Sequence, residues 1–216
     1  MLIQQYHPGP CEVGIFYIRR PSQPTGHILS ITRKVFPSVL GDGTSTLAQL
    51  IENHPRLRLQ YHRFATRHAA HLHTIPGAGQ TISLCIAGNH CQGTLFRDGS
   101  DLITPRLHAT IDAIARVTPG FHFGRFDVRC ASEADLMQGK GLCIIELNGI
   151  SSESTNVYDP ELSIWRAYAT WARSLFEAFA IGAEHRELGA IAPSAIETWR
   201  LIATARQEKN LDGLSD

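Results

Sequence analysis

The stretch that most constrains this chain is 121–160, FHFGRFDVRCASEADLMQGKGLCIIELNGISSESTNVYDP, which reads as two strands joined by a short polar connection. Side chains alternate across an extended segment, so Arg125 and Asp127 share one face of the first strand. Glu146 and Asn148 share one face of the second. If the strands pair, a guanidinium, two carboxylates and an amide oxygen converge on one patch. Hard oxygen donors of this kind suit Mg2+, which is usually held by one or two carboxylates and completed by waters and substrate phosphates. Acidic residues two apart are also ordinary on half-exposed strands, so a plain polar surface is the competing reading of the spacing alone.

With 216 residues, 43% hydrophobic and 19% charged, the chain can bury one large core or two small ones, which excludes the disordered and fibrous classes. Lys plus Arg and Asp plus Glu both total 20, so no global field favours nucleic acid or an anionic membrane. Anion binding has to be local. No apolar run approaches the ~18 residues of a membrane span, and residues 1–5 lack the basic start and apolar core of a signal peptide. The expected compartment is the cytoplasm, with no nucleic-acid or membrane partner. The cysteines Cys11, Cys85, Cys91, Cys130 and Cys143 form an odd set without a CxxC pair, which supports neither a disulfide framework nor a zinc knuckle. Cys85, Cys130 and Cys143 sit in apolar, strand-like runs and are expected to be buried as small hydrophobes.

Along the chain, EVGIFYIRR and HILSITRKVF flank the turn PSQPTG and read as an antiparallel hairpin. GDGTSTLAQLIENHP follows as a tight turn, a cap at Thr44 or Ser45 and a short helix ending before Pro55. It lacks the GK[ST] of a phosphate loop. Residues 56–73 read as a linker or irregular helix, and the offsets of His68, His71 and His73 do not put all three on one helical face. TISLCIA reads as a buried strand and GNHCQGTLF as another. TPRLHATIDAIARVTPG is a helix with Pro105 in its first turn, and Ser132 caps a short helix between the two strands of the opening stretch. From Pro160 the chain is helical. Leu162, Trp165, Ala169, Ala172, Leu175, Phe176 and Phe179 recur at helical spacing and predict a core helix punctuated by Gly182 and Gly189, before a last amphipathic helix, SAIETWRLIATARQEK. This order of elements argues for α+β with an antiparallel sheet flanked by helices and a helical C-terminus.

Gly124-Arg125-Phe126-Asp127-Val128, followed by Glu146-Leu147-Asn148, resembles the GR-x-D and E-x-N strands of the ATP-grasp superfamily. These are ligases that join a carboxylate to an amine, and the likeness is nearest to the D-alanine–D-alanine ligase-like and cyanophycin synthetase-like branches. QQYHPGPCE resembles the hinge that holds adenine, and VLGDGTSTLAQLI resembles a GDG-x-x-T-x-x-x-L-I segment of the second branch.

The resemblance implies an ATP-grasp C-terminal lobe over 1–183, with 184–216 as a helical extension packed on the same domain. Gln4, Gln5, Tyr6 and His7 would flank the adenine, and Glu12 would bind the ribose. Asp127, Glu146 and Asn148 would hold Mg2+, or Mn2+ in its place, on the ATP phosphates. Arg125 would lie against the transferring phosphoryl group, with Lys34 as a second phosphate contact. Small-molecule carboxylate and amine substrates follow, and residues 149–155 occupy the place of a substrate loop. The chain starts at the hinge, so the small lobe that closes over ATP is expected from an upstream segment or a partner chain. A nucleotide- and metal-binding module without turnover is the alternative function.

Overall fold

The computed structural model describes residues 7–86 and 88–211. Its centre is a five-stranded sheet built from β1 (Cys11–Ile18), β2 (His27–Val35), β5 (Leu95–Asp98), β6 (Phe123–Cys130) and β7 (Cys143–Asn148), in the order β5-β2-β1-β6-β7. Every neighbouring pair in it is antiparallel. The α+β expectation is met, and the first hairpin and the β6–β7 pair lie where the alternation puts them.

One face of the sheet is apolar. Val13, Ile15 and Tyr17 of β1, Ile31 of β2 and Phe126 and Val128 of β6 are all buried on it. The helix α3 (Pro105–Val117) covers them with Leu107, Ile111 and Ala115, and α4 (Glu133–Met137) adds Leu136. Both helices begin where the chain supplies a cap. Thr104 Oγ1 accepts from Leu107 N with Pro105 in the first turn, and Ser132 Oγ accepts from Asp135 N. Phe121 and Phe126 meet edge to face with ring centroids 4.9 Å apart. A buried polar contact crosses this core. The Tyr17 hydroxyl (2.6 Å) and the Gly26 N–H (2.7 Å) both donate to Asp112 Oδ1.

A second, smaller cluster forms around the two-stranded sheet of β3 (Ser38–Leu40) and β4 (Thr81–Ser83). Val39 packs there with Leu47 and Ile51 of α1 (Leu47–Asn53), Phe64 of α2 (Tyr61–Arg67) and Leu84. The N-cap of α1 is Thr46, two positions or one beyond the residues that the sequence suggested. Its hydroxyl accepts from Gln49 N while the Gln49 side chain accepts from Thr46 N, a reciprocal box that needs Gln three residues after the cap and so selects Thr46.

Three further expectations are corrected. TISLCIA is not a buried strand: only Thr81–Ser83 pair, at an edge, and Leu84 and Cys85 reach their burial outside any ladder. In GNHCQGTLF, residues His90–Gln92 form a 3-10 turn capped by Asn89, and pairing begins only at Leu95. The largest difference is α5 (Ile164–Glu187), a helix as expected and not a core one. Trp165 is 80% exposed and Phe179 77%, while the face against the body carries Ala167, Thr170, Ser174, Ala178 and Ile181. Gly182 lies inside α5 without breaking it, and Gly189 (φ +94°) follows its end. The last helix, α6 (Ala195–Leu211), is exposed at every described side chain, 195–205. Among the described residues no helix is long and apolar enough to cross a membrane.

Candidate functional site

The other face of the sheet carries the site. On it β1 contributes Glu12, Gly14 and Phe16, β2 contributes Ser30, Thr32 and Lys34, and β6 contributes Phe123, Arg125, Asp127 and Arg129. These residues sit at alternate positions and in matching register. Asp127 stands opposite Glu146 and Arg125 opposite Asn148, with a bulge between Asp127 and Val128. Directly opposed residues of an antiparallel pair point to the same side, so the four residues singled out from the sequence form one patch. A cleft of about 590 Å³ opens over three of them, Arg125, Asp127 and Glu146, and His7, Lys34 and Arg129 are also among its lining, whereas Asn148 is not.

The charges form a buried network. Glu12 Oε1 is 2.9 Å from Lys34 Nζ, and Glu12 Oε2 accepts from Arg129 Nε at 2.7 Å. Lys34 Nζ also lies 3.2 Å from Asp127 Oδ2, while Arg125 Nε donates to Asp127 Oδ1 at 2.9 Å. Burying charges is costly unless each is paired and hydrogen-bonded, and here Glu12, Lys34 and Asp127 are all buried and all paired. Lys34 is therefore not a solvated strand-end lysine but the cation that links two carboxylates.

Glycines make this possible at two points. A Cβ at Gly14 would stand 2.9 Å from Arg125 Cδ and 3.3 Å from Asp127 Oδ1, so the bare backbone leaves room for that ion pair. Gly124 has φ +155°, and a Cβ there would run into the carbonyl oxygen of Asn148. The glycine before Arg125 thus lets β6 and β7 close.

The loop after β7 is sewn onto the same face. Ser154 Oγ bonds Ser30 Oγ, Thr155 Oγ1 lies 3.0 Å from Thr32 Oγ1, and Asn156 Nδ2 donates to Asp98 Oδ1 at 2.8 Å. Asp159 ties the end of the loop to β5 through Arg97 (2.9 Å) and the Asp98 N–H (2.8 Å). Burial would raise its pKa, but the N–H groups of Asp98 and Glu161 and the Arg97 guanidinium outweigh that and hold it below the usual carboxylate range. The hydroxyls of Ser154 and Thr155 therefore hold the loop in place. Ser152 Oγ donates to the Gly149 carbonyl at 2.6 Å and closes its turn.

Of the remaining expected site residues, His7 borders the cleft, with Nδ1 accepting from Gly9 N and its carbonyl accepting from Arg129. Gln4, Gln5 and Tyr6 lie outside the described residues. Arg129 was missed, although it continues the alternation begun by Arg125 and Asp127. It bonds Glu12 and the carbonyl of Ile86 and stacks over Phe36. Gly88, Asn89 and His90 also line the cleft, from a loop whose position no periodicity reports. Cys143, expected to be buried, is half-buried and lines the cleft, because β7 is an edge strand. Cys11 faces Cys130 across β1 and β6, and burial, reinforced by that neighbour, pushes Cys11 up to about 12.

Whether these residues suit a divalent cation follows from the donors. No group of three or more His, Cys, Asp or Glu among the described residues is arranged to hold a metal. The oxygen set is nevertheless of the right kind for Mg2+, which rarely takes an all-protein cage. Glu146 is exposed and borders the cleft opposite Asp127, and Asn148 is half-buried with its Nδ2 buried and unpartnered, so only its amide oxygen could face a cation. Asp127 Oδ1 accepts from Arg125 Nε and keeps a further lone pair, whereas Oδ2 faces both Lys34 Nζ (3.2 Å) and Arg125 Nη2 (3.3 Å) and would have to exchange one of them for a metal.

No family model matches the sequence, and no curated protein matches it. Among solved structures, the chain is similar to a bifunctional glutathione synthetase from Pasteurella multocida, at 16% identity and a TM-score of 0.41. The match covers 66% of this chain and 20% of that one, so this chain spans about a fifth of the length of the protein it matches.

Proposed function

We propose that this chain supplies the catalytic floor of an ATP- and Mg2+-dependent ligase of the ATP-grasp type, which activates a small-molecule carboxylate as an acyl phosphate for attack by an amine. The observation that carries the reading is the β6–β7 register, in which Asp127 faces Glu146 and Arg125 faces Asn148, with Arg125, Asp127 and Glu146 lining one cleft. The sequence resemblance names the same four residues.

The network explains how such a site would work. Its anions, Glu12, Asp127 and Glu146, and its cations, Lys34, Arg125 and Arg129, balance in number. A ligand that carries both signs, such as a metal–phosphate, exchanges these internal pairs for external ones without leaving a buried charge unmatched. Asp127, Glu146 and Asn148 would hold the cation, which on binding neutralises phosphate charge and acts as a Lewis acid. Arg125 and Lys34 stand beside them to take the phosphate oxygens, and a planar guanidinium suits the spread charge of a transferring phosphoryl group. No protein nucleophile is needed. Glu12 positions Lys34 and Arg129 through its two oxygens and would bind ribose only by sharing them. His7 stands at the edge where the base would enter. An upstream segment or a partner chain would cover the cleft and exclude water from the acyl phosphate.

A nucleotide- and metal-binding module without turnover is the second reading, and the internally satisfied network favours it in one respect, since the buried carboxylates are stable without ligand. Calorimetric titration with ATP and Mg2+, on this chain and on one extended upstream, tests the site. Metal-dependent binding is expected, weakened at least tenfold in Asp127→Asn/Glu146→Gln. Absence of binding in both chains removes the proposal, and binding without ADP release in the presence of carboxylates and amines selects the second reading.

A further inference from the structure

The helix α5 presents its surfaces in reverse. Toward the body it offers small residues, Ala167, Thr170, Ser174 and Ala178, with Ile181 seated among Phe16, Ile18 and Phe123. Toward solvent it offers Ile164, Trp165, Tyr168, Trp171, Leu175, Phe176 and Phe179, each between 47% and 80% exposed. The orientation is fixed from within. Arg20 pairs with Glu177 at 2.8 Å, and Glu184 accepts from the Ser22 N–H at 2.9 Å, on the side opposite the aromatic face.

Its pattern is self-complementary. Ile164, Tyr168, Trp171, Leu175, Phe179, Gly182 and Arg186 follow at intervals of four, three, four, four, three and four residues, a series that reads the same in both directions from Leu175. Such intervals keep a single stripe along an α-helix. Laid antiparallel on an identical helix with the twofold axis at Leu175, Trp171 falls opposite Phe179 and Tyr168 opposite Gly182. A large ring thus meets a bare backbone at each flank, and Leu175 meets its own copy at the centre. The stripe carries no charge between Ile164 and Gly182.

The area suffices. The five large side chains of the stripe, each with about half of its surface still open, amount to roughly 500 Å² per copy, or about 1,000 Å² over both partners, the lower bound for a specific interface. We infer that α5 is the isologous dimer interface of this protein, the occupant of its exposed aromatic stripe being α5 of a second copy, antiparallel and centred on Leu175. The inference does not depend on the ligase reading.

Sedimentation equilibrium of the 216-residue chain tests it. A reversible dimer is expected, with Leu175→Asp raising its dissociation constant at least 100-fold because two carboxylates then meet on the axis. The circular dichroism spectrum and melting midpoint of the diluted monomer stay unchanged. Cysteine scanning in a Cys91→Ser background separates loss of the interface from misfolding and gives an independent reading. Leu175→Cys is expected to form a disulfide-linked dimer on oxidation, and Tyr168→Cys is not, since its two copies lie about 20 Å apart along the helices. A monomer up to ~100 μM, at which an interface of this size should associate, overturns the inference. So does a dimer indifferent to Leu175→Asp, cross-linking through position 168 in preference to 175, or a monomer that binds phosphatidylcholine vesicles through this face.

Discussion

The two faces of the five-stranded sheet are made by the same strands and held together by different physics. On one, Val13, Ile15, Phe126 and Val128 pack against α3, and stability comes from removing apolar surface from water. On the other, Glu12, Lys34, Asp127 and Arg129 are just as buried, and each stays buried only because its neighbour carries the opposite charge. The first face tolerates loss of detail at a graded cost. The second is an arrangement in which removing one member strands the rest, a reason to expect it where ligands exchange rather than where the fold is anchored.

The largest expected effect is on the apolar face. Phe126→Ala removes a ring that is 1% exposed and touches both Phe121 and Tyr17, and should cost about 3–5 kcal/mol in urea unfolding. Next comes Glu12→Ala, which leaves Lys34 and Arg129 facing a void. A loss of about 3 kcal/mol is expected, less than for an isolated pair because Lys34 keeps Asp127. Adding Lys34→Met should recover part of that stability while further reducing affinity for ATP and Mg2+. If the double variant is less stable than Glu12→Ala alone, the charged face contributes to folding in the same additive way as the apolar one, and the contrast fails.

The smallest effect sharpens the comparison at a polar point of the apolar core, Asp112. Burial pushes the Asp112 carboxyl up, but the Tyr17 hydroxyl and Gly26 N–H outweigh it and leave the carboxyl below its ordinary value of 3.8. A carboxyl lowered in the folded state contributes stability that is complete above its unfolded value and is lost as pH falls through the folded one. Asp112→Asn should therefore cost about 1–2 kcal/mol at pH 7 and little near pH 2. Urea midpoints at the two pH values measure the difference, and an equal loss at both would place the effect in packing rather than charge.

Much of this was legible in the chain. Alternation fixed β1, β2 and β6 and the faces on which Arg125, Asp127, Glu146 and Asn148 stand, because a period of two leaves no freedom once strands pair. Pro105 and Ser132 marked where α3 and α4 begin, because helix starts are local chemistry. Spacing could not say which apolar stripe of α5 turns inward. A helical period locates a face without saying what it meets, and the small-residue side won because Arg20 and Ser22 bind Glu177 and Glu184. Nor could it find Arg129 on Glu12, Gly88 against Lys34, or Lys34 as the link between two carboxylates. Those pairings join residues far apart in the chain, and only the closing of the sheet determines which charges share a buried volume. The sequence by itself determined β1, β2, β6 and β7, the starts of α3 and α4 and the four residues of the patch. The tertiary structure decided that the patch is the floor of a neutral, buried charge network and that α5 turns its aromatic side outward.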